Sequence, residues 1–290
     1  MMRLAILAPI KTSFYSRLVA HLAAQEPGVE LTDVIVRTPW TYRRIRGELR
    51  RDGARLLEKA YNKLVLAEKA YDGVDEQNIR QLAHSVGLPG RTLGDLAVAD
   101  GFRLTVVKDQ NDAKSQETLR AARPDVVAFT GGGLIRRALL DLPTIGVLNC
   151  HMGLLPRFRG MDVVEWPVAE YDLDNPPPEA GPPPELGLTL HLMDRGVDTG
   201  PILLKRRMEI RPDDTFGSIR IRIEPETVEM MMEAIRGLRD GTLQPQPQRI
   251  EQGRQYFRMH PRIEEYTRQK LRRYQAASPD DRKNDTNKKH

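Results

Sequence analysis

The chain has 290 residues, 40% hydrophobic and 29% charged, a length for one or two domains and a composition that can build a core and excludes wholesale disorder. Its single cysteine, Cys150, excludes an intrachain disulfide framework and any multi-cysteine zinc site, and no apolar run nears the roughly 18–20 residues a bilayer span needs. The net charge of +5 is carried by one end: residues 242–290 hold twelve Lys/Arg against six Asp/Glu, leaving 33 basic against 34 acidic groups in the first 241.

Residues Met1 to Ile10 lack a cleavage-site pattern and read as a strand, so a soluble cytoplasmic protein is expected. The first strand is Arg3 to Ala8, stopped at Pro9. A helix over Phe14 to Gln25 follows, with Leu18, Val19 and Leu22 at helical spacing, and then a strand over Leu31 to Val36. Residues 41–88 interrupt this rhythm with a charged helical pattern, read as a helical insertion that covers the sheet or serves a partner. Leu93 to Asp100 reads as a helix stopped by Gly101. Strands are expected at Arg103 to Val107, Pro124 to Thr130 and Ile145 to Asn149, with a crossover helix from near Asp112 to Ala122. Apolar strands separated by helices imply a doubly wound, mostly parallel α/β sheet, Rossmann-like in layout.

Beyond a Pro-rich loop at 174–186, Leu188 to Met193 and Ile202 to Ile210 can pair as a hairpin, and Thr215 to Arg239 reads as helical. Pro225 should break or kink that helix, so two helices are as acceptable as one. The expected organisation is a body over 1–241 and a basic tail over 242–290, helical and then disordered from Ser278. That tail could hold an anionic surface, with Tyr256, Phe257, Tyr266 and Tyr274 free to stack on bases; the preferred reading has the aromatics docking it on the body.

The chemistry gathers after the fifth strand, which runs into Asn149-Cys150-His151. Residues two apart on a strand share a face, so Asn149 and His151 present an amide beside an imidazole at the C-terminal end of a parallel strand, where open α/β sheets place ligands. An amide donor beside a histidine can stabilise a developing oxyanion; a histidine that merely fastens a loop is the alternative. By the same alternation Cys150 points away and reads as packing. Arg157 and Arg159 in the next loop could meet an anion or stay solvated. Further on, Asp198 sits in a Gly-flanked turn, from which a carboxylate could reach His151, raise its pKa and orient it. No second ligand stands at metal-binding spacing from His151, so no metal is expected.

Between about Asp109 and Leu203, roughly a third of the chain, the sequence resembles the folate-dependent formyltransferases. The resemblance rests on Pro124-Asp125-Val126-Val127, Asn149-Cys150-His151, Leu154-Leu155-Pro156, Arg159-Gly160, Gly187-Leu188-Thr189, His191 and Asp198-Thr199-Gly200-Pro201. It implies a catalytic trio of Asn149, His151 and Asp198 and 10-formyltetrahydrofolate as formyl donor. It implies that the pterin lies against Gly131, Gly132, Gly133, Leu134 and Ile135 and against the turn holding Val197. An amine would attack the formyl carbon, with Asn149 and a protonated His151 steadying the tetrahedral intermediate and Asp198 holding His151 charged.

Departures from the family narrow the acceptor. Ala8 to Phe14 lacks the Gly-Ser-rich phosphate loop of glycinamide ribonucleotide enzymes. The segment after Thr242 is too short for the barrel of methionyl-tRNA formyltransferases, so nucleic acid is not expected, and a strand beginning at Arg3 leaves no room for the regulatory domain of deformylases. What remains is similar to the sugar N-formyltransferases, with Asp162, Glu165 or Trp166 as candidate contacts to a small-molecule amine, such as a nucleotide-linked amino sugar. A hydrolase passing the formyl group to water and a non-catalytic folate- or partner-binding protein stay open, as does a homo-oligomer.

Overall fold

A computed structural model of the chain describes residues 1–38, 78–173 and 184–276. The Pro-rich segment from 174 to 183, most of the helical insertion and the end from 277 lie outside the described residues. The chain divides into two compact units, Met1–Asn149 with Glu224–Gln244, and Cys150–Ile223 with Pro245–His290. The strand order is β3-β2-β1-β4-β5-β7-β8, mostly parallel.

In the first unit, β1 (Met2–Ala8), β2 (Val29–Arg37), β3 (Arg103–Val107), β4 (Val126–Phe129) and the start of β5 (Gly146–His151) form the parallel part. All four residues of β4 and six of the seven in β1 are buried, as a sheet covered on both faces requires. Helices α1 (Phe14–Gln25), α2 (Ile79–Ser85), α3 (Leu93–Asp100), α4 (Ala113–Ala122) and α5 (Arg137–Leu140) alternate with them. Their ends follow local chemistry. The Ser13 side chain caps α1, Thr92 and Asp95 form a reciprocal box on α3, and Asp112 accepts from the Ser115 amide to start α4. Gly101, at φ 80°, stops α3.

β1 lies between β2 and β4, so the winding reverses there. Ligands of open α/β sheets bind at the carboxyl ends of strands beside such a reversal. The loop Gly131–Ile135 leaves β4 at that point, anchored by Thr130, whose hydroxyl bonds the Leu7 carbonyl at 3.0 Å.

The second unit holds β6 (Phe158–Gly160), α6 (Trp166–Glu170), the antiparallel pair β7 (Leu186–Leu192) and β8 (Ile202–Met208), β9 (Arg254–Tyr256) and α8 (Pro261–Ala276). β6 and β9 pair in parallel, joining segments nearly a hundred residues apart. α7 (Phe216–Arg239) runs as one helix of 24 residues with Pro225 inside it, so the single-helix alternative is the one adopted. Among the described residues no helix is long and apolar enough to cross a membrane.

Candidate active site

β5 ends on His151, two positions beyond Asn149 and one beyond Cys150. His151 is 7% exposed. Its Nε2 lies 2.8 Å from the Phe158 carbonyl oxygen. A carbonyl only accepts, so that contact assigns a proton to Nε2. Its Nδ1 faces Asp198 Oδ2 at 3.5 Å.

Asp198 is placed by its own turn, at φ 54°, a left-handed conformation that aspartate tolerates better than most residues. The Gly160 N–H donates to Oδ2 at 2.9 Å. Oδ1 faces His191 Nε2 at 3.6 Å, while the other ring nitrogen of His191 donates to the Leu192 carbonyl at 2.9 Å. One carboxylate thus stands between two imidazoles, each of which has committed its far N–H to the backbone. His191, read from sequence as a strand histidine with at most a supporting role, is 1% exposed and belongs to this cluster.

Electrostatics correct one expectation. Burial holds the His151 imidazole below its ordinary value; it outweighs the attraction of Asp198 and the Phe158 carbonyl, and His191 pushes the same way as burial. Asp198 therefore does not hold His151 charged in the resting protein. Asp198 itself is ionised. Burial pushes its pKa up, but the adjacent His191 imidazole, the field of His151 and the Gly160 N–H together bring it below the usual carboxylate value. Desolvation pushes the Cys150 thiol up to about 12, so it stays protonated and a poor nucleophile.

The loop after β5 is fixed by close approaches. A Cβ on Gly153 would lie 2.9 Å from His151 Nε2 and 2.9 Å from the Phe158 oxygen. The fully buried Thr189 hydroxyl donates to the Gly153 carbonyl at 2.7 Å and accepts from the Leu155 amide at 3.0 Å.

Several polar residues of the next stretch are occupied internally. Arg157 pairs with Glu185 at 2.9 Å, and Arg159 donates to the carbonyls of Ile250 and Gly253. Asp162 accepts from the Met259 amide at 2.7 Å, and the Trp166 indole donates to the Phe257 carbonyl at 3.0 Å. Glu165, 7% exposed, pairs with Arg220 at 2.6 Å. Asp162, Glu165 and Trp166, the candidate acceptor contacts, thereby also tie residues 162–166 to α7 and to the C-terminal segment.

In the first unit, Gly131, Gly132 and Gly133 adopt φ 118°, 131° and 109°, values open to glycine and strained for other residues. The Gln110 side-chain amide donates to the carbonyls of Ala8 and Gly131, at 3.2 and 3.1 Å, and a Cβ on Gly132 would sit 2.5 Å from its oxygen. Asn111 braces the far end by donating to the Leu134 carbonyl at 2.9 Å and accepting from the Arg136 amide at 2.7 Å. Leu134 is 81% exposed and Ile135 is buried. A flat ring could approach this backbone closely. Gln110 escaped the sequence reading because nothing local distinguishes it. A cavity of roughly 370 Å³ lined by Met1, Met2, Gly28, Asp125, Ile145, Leu238 and Arg239 contains none of the candidate catalytic or donor-binding residues.

Parallel strands alternating with helices in this order define a Rossmann-like α/β class. The family model described as formyl transferase matches residues 2–235, and the chain belongs to that family. Methionyl-tRNA formyltransferase of Aromatoleum aromaticum is 38% identical over 157 residues, 54% of this chain and 46% of that protein. The chain thus spans about half the length of the curated relatives it matches. Among solved structures, phosphoribosylglycinamide formyltransferase from Anaplasma phagocytophilum aligns with a TM-score of 0.53 at 18% identity, over 84% of this chain and 93% of that one. A sugar N-formyltransferase from a Shewanella species aligns with a TM-score of 0.52 at 15% identity, over 93% and 88%. Both share the fold.

Proposed function

We propose that the chain transfers a formyl group from 10-formyltetrahydrofolate to the amine of a small-molecule acceptor, with a nucleotide-linked amino sugar as the acceptor class. The observation that carries the formyl-transfer reading is the Asp198 carboxylate 3.5 Å from the one ring nitrogen of His151 that the backbone leaves available. Membership of the formyl transferase family supports it. The acceptor class rests on the likeness of Arg159 to Asp162 and Glu165-Trp166 to the sugar branch.

Asn149 donates its amide to the formyl oxygen as negative charge grows there. His151 is neutral at rest and exchanges a proton at Nδ1: it takes one from the attacking amine and gives it to N10 of the departing tetrahydrofolate as the bond between the formyl carbon and N10 breaks. Asp198 then faces an imidazolium and offsets its charge, which lowers the barrier to that transfer. The backbone of Gly131, Gly132, Gly133, Leu134 and Ile135 holds the pterin of the donor. The glycine φ values and the Gln110 and Asn111 braces fit a rigid backbone edge that a flat ring can approach.

A second reading has methionyl-tRNA as acceptor, favoured by the names of the curated relatives at 35–38% identity. One experiment separates them. Purified protein is incubated with 10-formyltetrahydrofolate and, in parallel, a panel of amino-sugar nucleotides, methionyl-tRNA, or buffer alone. A mass gain of one formyl group on a sugar nucleotide supports the first reading. Formylation of tRNA alone replaces it with the second, and release of formate from buffer alone, with no acceptor formylated, makes the protein a hydrolase.

A further inference from the structure

We infer that Gln248 is a positioning residue for Asp198 and that the C-terminal segment from Pro245 to Tyr256 is the strap that holds the histidine–carboxylate pair in register. This deepens the formyl-transfer reading and rests on it. The Gln248 side-chain amide donates to the Asp198 carbonyl at 3.1 Å and also to the Gly200 carbonyl. It therefore bridges the peptide groups around the very residue whose carboxylate faces His151. The two contacts come from 50 and 48 positions further along the chain.

The orientation of that amide is determined. Its oxygen is buried with no hydrogen-bond partner among the described residues, and exchanging oxygen and nitrogen would aim that oxygen at two carbonyls. Leaving an acceptor unpaired is costly, so the two donated bonds are what hold the group in place. The residue is itself anchored by its neighbour Gln246, which exchanges both backbone hydrogen bonds with Ile202 on β8, at 2.8 Å each. Asp198 needs such a brace because its backbone is left-handed, while within the turn Asp194 accepts from Gly196 and Thr199.

The same strap supports the other half of the pair. β9 lies beside β6, and β6 supplies both the carbonyl that pins His151 and the Gly160 N–H that pins Asp198. Arg159, between those two residues, donates to the carbonyls of Ile250 and Gly253 in the strap. No side chain of the strap touches His151 in these contacts. Its effect reaches the reacting atoms through Asp198 and β6.

Two variants of the full chain test this: Gln248→Met, of similar length without donors, and Gln248→Glu, of the same shape with acceptors in place of donors. Formyl-transfer kinetics are measured beside an NMR titration of the His151 imidazole, assigned with His151→Gln; Asp198 and His191 are the titratable groups that face it. Expected is a loss of about 10- to 100-fold in kcat, with the donor KM within about twofold, as for misplacement of a catalytic group. The His151 pKa should fall further with Gln248→Met, which slackens the carboxylate, and rise with Gln248→Glu, which adds negative charge. Unchanged kcat or an unchanged His151 titration in the folded variants overturns the inference. Should one variant fail to fold, the other carries the comparison. Absence of formyl transfer by the wild-type protein overturns the functional reading alone, because the titration still reports whether Gln248 sets the Asp198–His151 pair.

Discussion

Gly160 and Asp198 are joined by a 2.9 Å hydrogen bond from the glycine N–H to Oδ2, the carboxylate oxygen that also faces His151. Gly160 has φ 100°, and a Cβ there would lie 2.1 Å from the Tyr256 carbonyl on β9. Gly160→Ala must therefore strain the backbone and part β6 from β9. The expected cost is about 2–4 kcal/mol of stability, read as a lower urea midpoint, together with loss of formyl transfer. A variant as stable and active as wild type would show that the β6–β9 contact does not hold the carboxylate.

The trio is tested most directly by Asn149→Ala, His151→Ala and Asp198→Asn. Loss of one donor to a developing oxyanion commonly lowers kcat by about 10²–10³, and the same range is expected for Asn149→Ala. His151→Ala should fall at least as far, since it removes the proton acceptor. Tetrahydrofolate affinity, followed by fluorescence quenching, should survive both substitutions. Near-full turnover by His151→Ala would remove His151 from the mechanism.

Much of this arrangement is legible in the sequence, and what is not has a physical cause. α1 and α3 run over the residues expected because Ser13 and Thr92 cap them locally. β3 likewise keeps its predicted bounds. Asn149 and His151 could be found because strand alternation is local. The closeness of Asp198 to His151, 47 positions on, came only through resemblance. Gln248, Tyr256 and Gln110 act over separations that carry no periodic signal. The charge state of His151 was misjudged because a sequence shows the neighbouring carboxylate but not the burial that outweighs it. The partners of Asp162, Glu165 and Trp166, namely Met259, Arg220 and Phe257, are likewise remote in sequence and leave no local signal.

Burial of His151 also makes stability depend on pH. Its folded pKa lies below the unfolded value of about 6.5. Between those two values the unfolded chain binds more protons, so acidification through that window favours unfolding. Asp198 behaves in the usual carboxylate sense: its contribution is present above the unfolded value and is lost only on further acidification. The melting temperature of the wild-type protein should therefore drop more between pH 7.5 and 5.5 (assay conditions spanning about 6.5) than that of His151→Gln. The acid limb of kcat/KM should likewise inflect below about 6.5, where the free base is lost. Parallel melting curves for the two proteins would mean that His151 titrates as an exposed histidine does.

Thr189→Val isolates the loop between His151 and the β7–β8 hairpin. Valine preserves the shape of the buried side chain but removes the hydroxyl that bonds the Gly153 carbonyl and the Leu155 amide. Each buried backbone group left unpaired costs about 1–3 kcal/mol, so a loss of about 2–4 kcal/mol is expected in chemical denaturation. Gly153 lies against His151 Nε2, and kcat should fall with stability. A loss of stability with kcat unchanged would mean that the loop's position does not reach His151.

The glycine loop after β4 yields a prediction independent of the histidine–carboxylate pair. Gly132 has φ 131°, and a Cβ there would meet Gln110 at 2.5 Å, a residue held by two carbonyls that cannot move aside cheaply. Gly132→Ala should displace the loop backbone from Gly131 to Ile135 and weaken tetrahydrofolate binding by more than about tenfold, while the His151 titration keeps its wild-type form. Backbone strain at such a position is of order 1–3 kcal/mol, which a folded domain survives, so binding can be measured by calorimetry on intact protein. Gln110→Leu, which removes both donated bonds without touching the glycines, should weaken binding in the same direction. Wild-type affinity in both variants would mean that this loop does not hold the donor.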